Sequence, residues 1–448
     1  MIKYMDKKAS IVFIQEKDNK YSTHVLVAAL EGENTDNVAD IFITNLRNAE
    51  DILTKVSSKY RLKILAYPLL TVHVVENLER IRSIVILAKK LGYVTLAGGP
   101  HATGDPYGTI ISLGFDYVAL GEGEDLINEF VINYAEGNDV KRINGVVFME
   151  DGKIKIKGRR WIRDLDMYPP ISLRYRLFNP IEITRGCVYA CKYCQVSFMF
   201  TTKLRHRSVE SITYYSSMMV KEGLKDLRFI SPDSLSYGSR GYKVNYDALA
   251  NLLESLNTLR RNEGARVFLG TFPSEVRPEH VDENIARLFK GRIDNKRIII
   301  GAQTGSDKLL KKINRGHTSD DVIHAVEVLR RYDFEVDVDY IFGLPGEDDE
   351  DILLTMKHIE KLVSLGARIH AHVFMPLPGT PFSFAPPGKI RPEMRRFLYK
   401  LLGKGIIYGQ WRKQEDIAYK IAKLRDEGVI LISERRAYEV LNTLNIKS

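Results

Sequence analysis

The sequence predicts an α/β protein: an N-terminal doubly wound, Rossmann-like domain, a partial (β/α)6 barrel, and a helical C-terminal extension. Two observations carry this. Apolar runs of strand length alternate with helix-period segments through two long stretches, the pattern of parallel α/β layers. Between those stretches stands Asp164–Pro170, whose two prolines stiffen the backbone and remove donors. The chain's 448 residues, 44% hydrophobic and 27% charged, leave room for two to four domains and exclude disordered, collagen-like and coiled-coil classes.

The first domain, 1–160, reads as five strands, Ala9–Gln15, Asp40–Asn45, Leu62–Leu69, Val94–Gly99 and Phe115–Leu120. Helices follow from Tyr21, Asn48, His73, Thr103 and Glu124. Gly145–Met149 and Lys153–Lys157, joined by Glu150-Asp151-Gly152, read as a hairpin. Residues 161–179 form the linker. From 180 to 386, six strands are each expected to lead a β/α unit: Ile181–Thr184, Asp226–Ser231, Ala265–Thr271, Arg297–Gln303, Glu335–Phe342 and Arg368–Met375. In such a barrel, chemistry belongs at the strand C-terminal ends. Residues 387–448 read as amphipathic helices.

The formal charge of +9 is concentrated in that last segment, where 14 Lys/Arg face 7 Asp/Glu. A solvated helical face and a nucleic-acid contact both accommodate it, although aromatic interleaving is sparse. Three cysteines cannot build a secreted disulfide framework, and no apolar run reaches 18 residues. Met1–Lys8 does not lead into a signal-peptide core. The expectation is a cytoplasmic enzyme without a membrane span.

All three cysteines fall in Thr184-Arg185-Gly186-Cys187-Val188-Tyr189-Ala190-Cys191-Lys192-Tyr193-Cys194. Three thiolates at the end of a barrel strand suit zinc or an iron–sulfur cluster. Zinc normally takes a fourth Cys or His, and the nearest histidine is His206. Electron-carrying clusters take four ligands, so three leave one iron open to a substrate or cosubstrate.

Cys187, Cys191 and Cys194, with Tyr193 before the third, resemble the radical S-adenosylmethionine (SAM) superfamily. The resemblance implies a [4Fe-4S] cluster on these cysteines, whose open iron binds SAM and whose electron cleaves it to a 5′-deoxyadenosyl radical. It implies a reductant such as ferredoxin or flavodoxin. It places Asp233 near the SAM amino group and Glu275 and Arg277 near its carboxylate; Arg277 is favoured for its bidentate fork. Glu275-Val276-Arg277-Pro278 and Asn314-Arg315-Gly316-His317-Thr318 are similar to elongator-type tRNA-modifying relatives. Helix-capping or ion-pair roles for Glu275 and Arg277 remain alternatives. By the same resemblance Gln303 and Gly305 meet SAM after the fourth strand, and Ile341 and Gly343 lie near adenine after the fifth. Alternation puts His370 and His372 on one face of the sixth strand: acid–base or substrate-positioning candidates if that face is the interior, or residues satisfied in the wall.

Gly98-Gly99-Pro100-His101 and Gly121-Glu122-Gly123-Glu124, ahead of the three-cysteine barrel, resemble the cobalamin-binding-domain class of radical SAM proteins, in an archaeal-type subgroup. Gly98 and Gly99 would then border a cobalamin. The Asp-x-His-x-x-Gly loop of such domains is replaced by Glu16–His24, so cobalamin either binds without a protein histidine or the domain is a scaffold. The implied activity is a cobalamin-dependent methyltransferase acting on an unactivated carbon of a small-molecule, lipid or cofactor-precursor substrate. Alternatives are a cobalamin-independent rearrangement or oxidation, or tRNA modification.

Overall fold

The computed structural model of the chain describes residues 9–32, 35 and 37–445; the octapeptide read as no leader lies outside them. Seven strands form the first sheet: β1 (Ala9–Ile14), β2 (Ala39–Thr44), β3 (Leu62–Pro68), β4 (Val94–Gly98), β5 (Tyr117–Ala119), β6 (Val146–Glu150) and β7 (Lys153–Ile156). Their order is β2-β1-β3-β4-β5-β6-β7. β1 to β5 run parallel, while the hairpin β6–β7 joins antiparallel to β5. The β1 sequence Ala-Ser-Ile-Val-Phe-Ile is buried throughout, as a strand covered by helices on both faces must be. One face carries a core with Val12, Leu65 and Ala97, the other a core with Ile11, Phe13 and Leu96. Strand order reverses between β1 and β3, so a ligand crevice is expected at the carboxyl ends there.

The barrel begins with β8 (Ile181–Glu182), β9 (Thr184–Arg185) and β10 (Arg205–His206), followed by β11 (Asp226–Ile230) and β12 (Arg266–Phe268). Then come β13 (Arg297–Gln303), β14 (Glu335–Phe342), β15 (Arg368–Val373) and β16 (Ile407–Tyr408). The first predicted strand is split: Glu182 still pairs with β11, whereas Thr184 and Arg185 turn to pair antiparallel with β10. The parallel set β12-β11-β8 meets β13-β14-β15-β16 through the bridge Val276–Ile300. On β13, β14 and β15, Ile300, Val338, Tyr340, Ile369 and Ala371 pack outward against helices. By alternation Asp337, Asp339, His370 and His372 face inward.

The C-terminal extension departs from the reading of helices alone. Helices at Pro392–Gly403, Trp411–Asp426 and Glu434–Asn445 are present, but β16 adds a seventh parallel strand beside β15. Two residues are too few to show a period, and only tertiary pairing reveals them. The same segment docks on the first domain. Buried Asp105 accepts hydrogen bonds from the backbone N–H groups of Gly108, Leu431 and Ile432 at 2.9, 3.0 and 2.8 Å. Lys413 pairs with Glu76 at 2.7 Å. Among the described residues, no helix is long and apolar enough to cross a membrane.

Asp105→Ala leaves three buried N–H groups unpaired, at about 1–3 kcal/mol each. Urea unfolding is expected to show a loss of about 3 kcal/mol or more, and limited proteolysis to cut between 427 and 433. Burial pushes the Asp105 carboxyl up from 3.8 to about 6. Its protonation therefore favours the fold below pH 3.8, and this contribution disappears as pH rises through about 6. Asp105→Asn is expected to flatten that stretch of the stability–pH curve.

Candidate active site

The cysteine loop is shaped by its backbone before any thiol is considered. Gly186 has φ +90°, and a Cβ there would lie 2.2 Å from the Lys203 carbonyl oxygen. Glycine alone fits. The loop is pinned by Cys187 N–H to Thr201 O (3.1 Å), Cys194 N–H to Cys191 O (3.0 Å) and Lys192 N–H to Ile313 O (3.0 Å). The three thiols sense one another. Burial, with Cys191 and Cys187 nearby, pushes Cys194 up to about 12, and burial also raises Cys187. Arg315 approaches Cys191 Sγ at 3.8 Å. Crowded, desolvated thiols beside guanidinium groups fit a metal cluster, which takes them as thiolates and is partly balanced by those cations.

Around this loop, Arg277 is held by Glu279 (2.7 Å), stacks on the Tyr189 ring at 3.3 Å and donates to the Arg315 carbonyl. The ion-pair alternative for Arg277 is thus realised, and the residue braces the cysteine loop. Asp233 is buried; its carboxylate bonds His280 Nδ1 at 2.7 Å and accepts from Arg277 N–H at 3.2 Å. Glu275 is different: burial and the charge of Asp339 push its carboxyl up to about 7, with His370 and Arg315 among its neighbours. Gln303 is buried with φ +74°, at the end of β13. Gly305 and Gly343 answer to packing. A Cβ at Gly305 would lie 2.6 Å from His358 Cβ, and one at Gly343 would lie 2.5 Å from Lys389 N. Ile341 packs with Tyr193, Leu310 and Phe374.

His370 and His372 face inward with Asp339. Asp339 Oδ1 is 2.9 Å from His370 Nδ1, and His372 Nε2 is 3.1 Å from that same nitrogen. His370 stacks on Tyr408 of β16 at 4.5 Å, and the Tyr408 hydroxyl bonds Asp337 at 2.6 Å. Glu275 and Arg315 connect this cluster electrostatically with the cysteines.

A cavity of about 300 Å³ opens between the two domains. Phe13, Pro68, Gly98, Gly99 and Ala119 line it from the carboxyl edge of the first sheet; Met199, Phe200 and Ile230 line it from the barrel. Its wall is mostly apolar, and among the described residues that line it there is no histidine. His24 is buried elsewhere, beside Phe178 and Asn179. The polar wall is an ionic knot. Arg185 reaches Glu122 at 2.9 Å and Glu124 and Glu182 at 2.6 Å, and Arg205 pairs with Glu122 at 2.6 Å. Arg185, Glu122 and Glu124 are all buried. Burial would raise the Glu124 carboxyl, but Arg185 beside it holds it below the usual range. The Gly-Glu-Gly-Glu turn therefore fastens the first sheet to the strand that ends two residues before Cys187. Nothing in a linear pattern links charges 61 positions apart, so the pairing of these two segments emerges only in the fold.

Comparison with known proteins agrees with this geometry. Residues 181–359 match the family model of the radical SAM superfamily. A protein of Methanocaldococcus jannaschii described as uncharacterised is 25% identical over 89% of this chain and 87% of its own length. The threonylcarbamoyladenosine tRNA methylthiotransferase MtaB of Thermotoga maritima is 31% identical over 47% of each chain, so the present chain spans about half of that relative. In fold, the chain is similar to the radical SAM methyltransferase TsrM of Kitasatospora setae, solved with cobalamin and a [4Fe-4S] cluster. The TM-score is 0.66 at 17% identity, covering 86% of this chain and 80% of that one. The cobalamin-dependent radical SAM enzyme OxsB gives a TM-score of 0.64 at 16% identity, covering 80% and 52%.

Arg185→Met strands the buried Glu124 carboxylate, while Glu122 keeps Arg205; removing one partner of a buried pair costs about 3–5 kcal/mol. Denaturant titration is expected to show that loss, with adding Glu124→Gln restoring part of it as a non-additive double-mutant cycle.

Proposed function

We propose that this enzyme, whose residues 181–359 form a radical SAM domain, is a cobalamin-dependent radical methyltransferase. The observation that carries the proposal is the interdomain cavity. It lies at the carboxyl edge of a doubly wound sheet, where such sheets take cofactors. It is floored by Gly98 and Gly99, and it is closed from above by Met199 and Phe200, which follow the cysteine loop in the chain. A corrinoid there would lie between its own domain and the cluster, without an imidazole from the cavity wall.

When bound, the cluster with SAM supplies a hydrogen-abstracting radical and the corrinoid a methyl group. The chain's own residues supply place and protection. Cys187, Cys191 and Cys194 would hold the cluster, and Arg315 sets a cation beside it. Gln303 and Glu275, on the inward side of the barrel, are the nearest candidates to SAM, while Arg277 and Asp233 hold the loop that would receive it. The Arg185 knot seals one side of the cavity. His370 and His372, inward and partly accessible, serve as acid–base groups toward a small-molecule substrate. A ferredoxin or flavodoxin would deliver the electron. The RNA-modifying alternative draws support from barrel relatives such as MtaB, but two arginines of the basic extension are engaged within the chain. Arg395 pairs with Glu415 at 2.7 Å, and buried Arg425 donates to the carbonyls of Ser383 and Ala385.

Anaerobic reconstitution with hydroxocobalamin, followed by gel filtration, is expected to leave about one corrinoid per chain. A Cβ at Gly98 would lie 3.6 Å from Ala119 Cβ, an ordinary contact, so Gly98→Leu is expected to keep the fold and lose the corrinoid. A wild-type protein that retains none at saturation overturns the proposal. Alanine at any of the three cysteines is expected to abolish the cluster's visible absorbance and reductive SAM cleavage together.

A further inference from the structure

One side of the cysteine loop comes to the surface. Asn314 and Gly316 are exposed there, and Ala190 is half-buried. The Asn314 amide nitrogen donates to Tyr189 O at 2.6 Å and reaches Ala190 O, in the peptide that leads into Cys191, at 3.4 Å. This surface therefore lies beside a candidate cluster ligand. The loop's other sides are covered: Cys187 N–H donates to Thr201 O, Phe382 N–H donates to Lys192 O at 3.2 Å, and Arg185 is buried in the interdomain knot. Over the open side is a hollow of about 640 Å³, with buried Tyr189 and exposed Tyr242 and Tyr246 in its wall. The Tyr189 ring meets Tyr242 edge-on at 5.2 Å, and its hydroxyl is 3.0 Å from His280 Nε2. The rim is basic. Lys243 lines the hollow, Lys311 and Lys312 end the helix Asp307–Lys312 just before Asn314, and Lys192 N–H donates to Ile313 O at 3.0 Å. None of these four lysines has an ion-pair partner among the described residues. The two acids that line the hollow are engaged: Glu279 holds Arg277 at 2.7 Å, and Asp282 accepts from Ile285 N–H at 2.9 Å and from the Tyr246 hydroxyl at 2.8 Å.

We propose that this face is the docking site of a small, acidic one-electron carrier protein that reduces the cluster. The inference rests on the reductive SAM cleavage in the reading above. Unpaired lysines closer together than the screening length of the solution add their fields, which steers an acidic partner toward the hollow. Tyr242 and Tyr246 supply the aromatic area that protein interfaces favour at their centre. Electron tunnelling falls steeply with distance, so the entry point belongs where the loop itself meets the surface. A substrate has to reach the barrel interior, whereas an electron has only to reach the loop, and the carrier's face is thereby kept apart from the interdomain cavity. In the step, the carrier is oxidised by one electron and the cluster on Cys187, Cys191 and Cys194 is reduced by one. No bond forms or breaks in the interface, and no proton crosses it.

The test uses the full chain with its cluster reconstituted and two probes, an acidic two-cluster ferredoxin and an acidic flavodoxin. Binding of each is read by interferometry at low and high salt, contacts by carbodiimide coupling and peptide mass spectrometry, and electron transfer by anaerobic stopped-flow absorbance, with dithionite as the reductant that needs no docking. Wild type is expected to bind at least one carrier with an affinity that falls as salt rises, and to couple through Lys243, Lys311 or Lys312. The triple variant Lys243→Glu, Lys311→Glu, Lys312→Glu is expected to lower the affinity, and the carrier rate relative to the dithionite rate, about tenfold or more at low salt. Glutamine at the same three positions is expected to lower both by less, and it carries the test if the glutamate variant does not fold. Lys400→Glu, on the C-terminal extension, is expected to change neither. Binding of neither carrier, unchanged affinity and relative rate in the variants, or coupling confined to other faces overturns the proposal. So does loss of tRNA binding in variants whose carrier reduction is intact, which gives the face to RNA. SAM cleavage by wild type with dithionite is measured alongside. If cleavage occurs but the carriers ignore these lysines, only this inference falls; if the carriers respond but dithionite-reduced wild type cleaves no SAM, the functional reading falls.

Discussion

The buried Arg185 guanidinium is the constraint on which the rest of the site depends. It contacts two glutamates of one domain and one of its own, and it stands immediately before Gly186 and the cysteine loop. Three carboxylates around one guanidinium, with Arg205 as a second cation, approach neutrality as a group, which is what makes so many charges tolerable away from water. Arg185 also belongs to the short strand that leaves the barrel sheet to pair with β10. The same residue thus sets the interdomain distance, the direction of the cysteine loop and the polar side of the cavity.

A second theme is that residues at the barrel mouth brace one another. Arg277, Tyr189, Glu279 and the Arg315 carbonyl form one unit. Asp233 and His280 bond beneath it. These contacts hold the cysteine loop in place, and preorganisation of this kind spares a cofactor site the cost of ordering itself when ligands arrive. The groups left with chemical freedom lie deeper, at Glu275 and along the inward faces of β14 and β15.

Much of this was legible in the sequence. The succession of strands along the chain followed from alternation, because parallel strands buried on both faces read as continuous apolar runs, and β1 is such a run. Cys187, Cys191 and Cys194 were legible because their spacing is local. The inward face of β15 was legible as a period of two, although whether His370 and His372 looked in or out required the helices that cover Ile369 and Ala371. Other features depend on tertiary placement. Gly305 and Gly343 looked like ligand-side glycines, and the contacts that demand them are with His358 and Lys389. The roles of Tyr408 and Gln414 come from chain distance: they reach His370 and His372 from 38 and 42 residues downstream, in a segment whose composition suggested only a basic surface.

The two-residue strand β16 has a consequence for how the protein is made. Ile407 and Tyr408 pair with Ile369 and His370, and those strand partners are synthesised before them. Until they emerge from the ribosome, β15 is an open edge, with unpaired backbone groups of the kind that recruit stray strands, and His370 lacks the ring that stacks on it. A nascent or shortened chain ending before residue 407 therefore carries an open edge beside Ile369 and His370, where the finished molecule has a paired one.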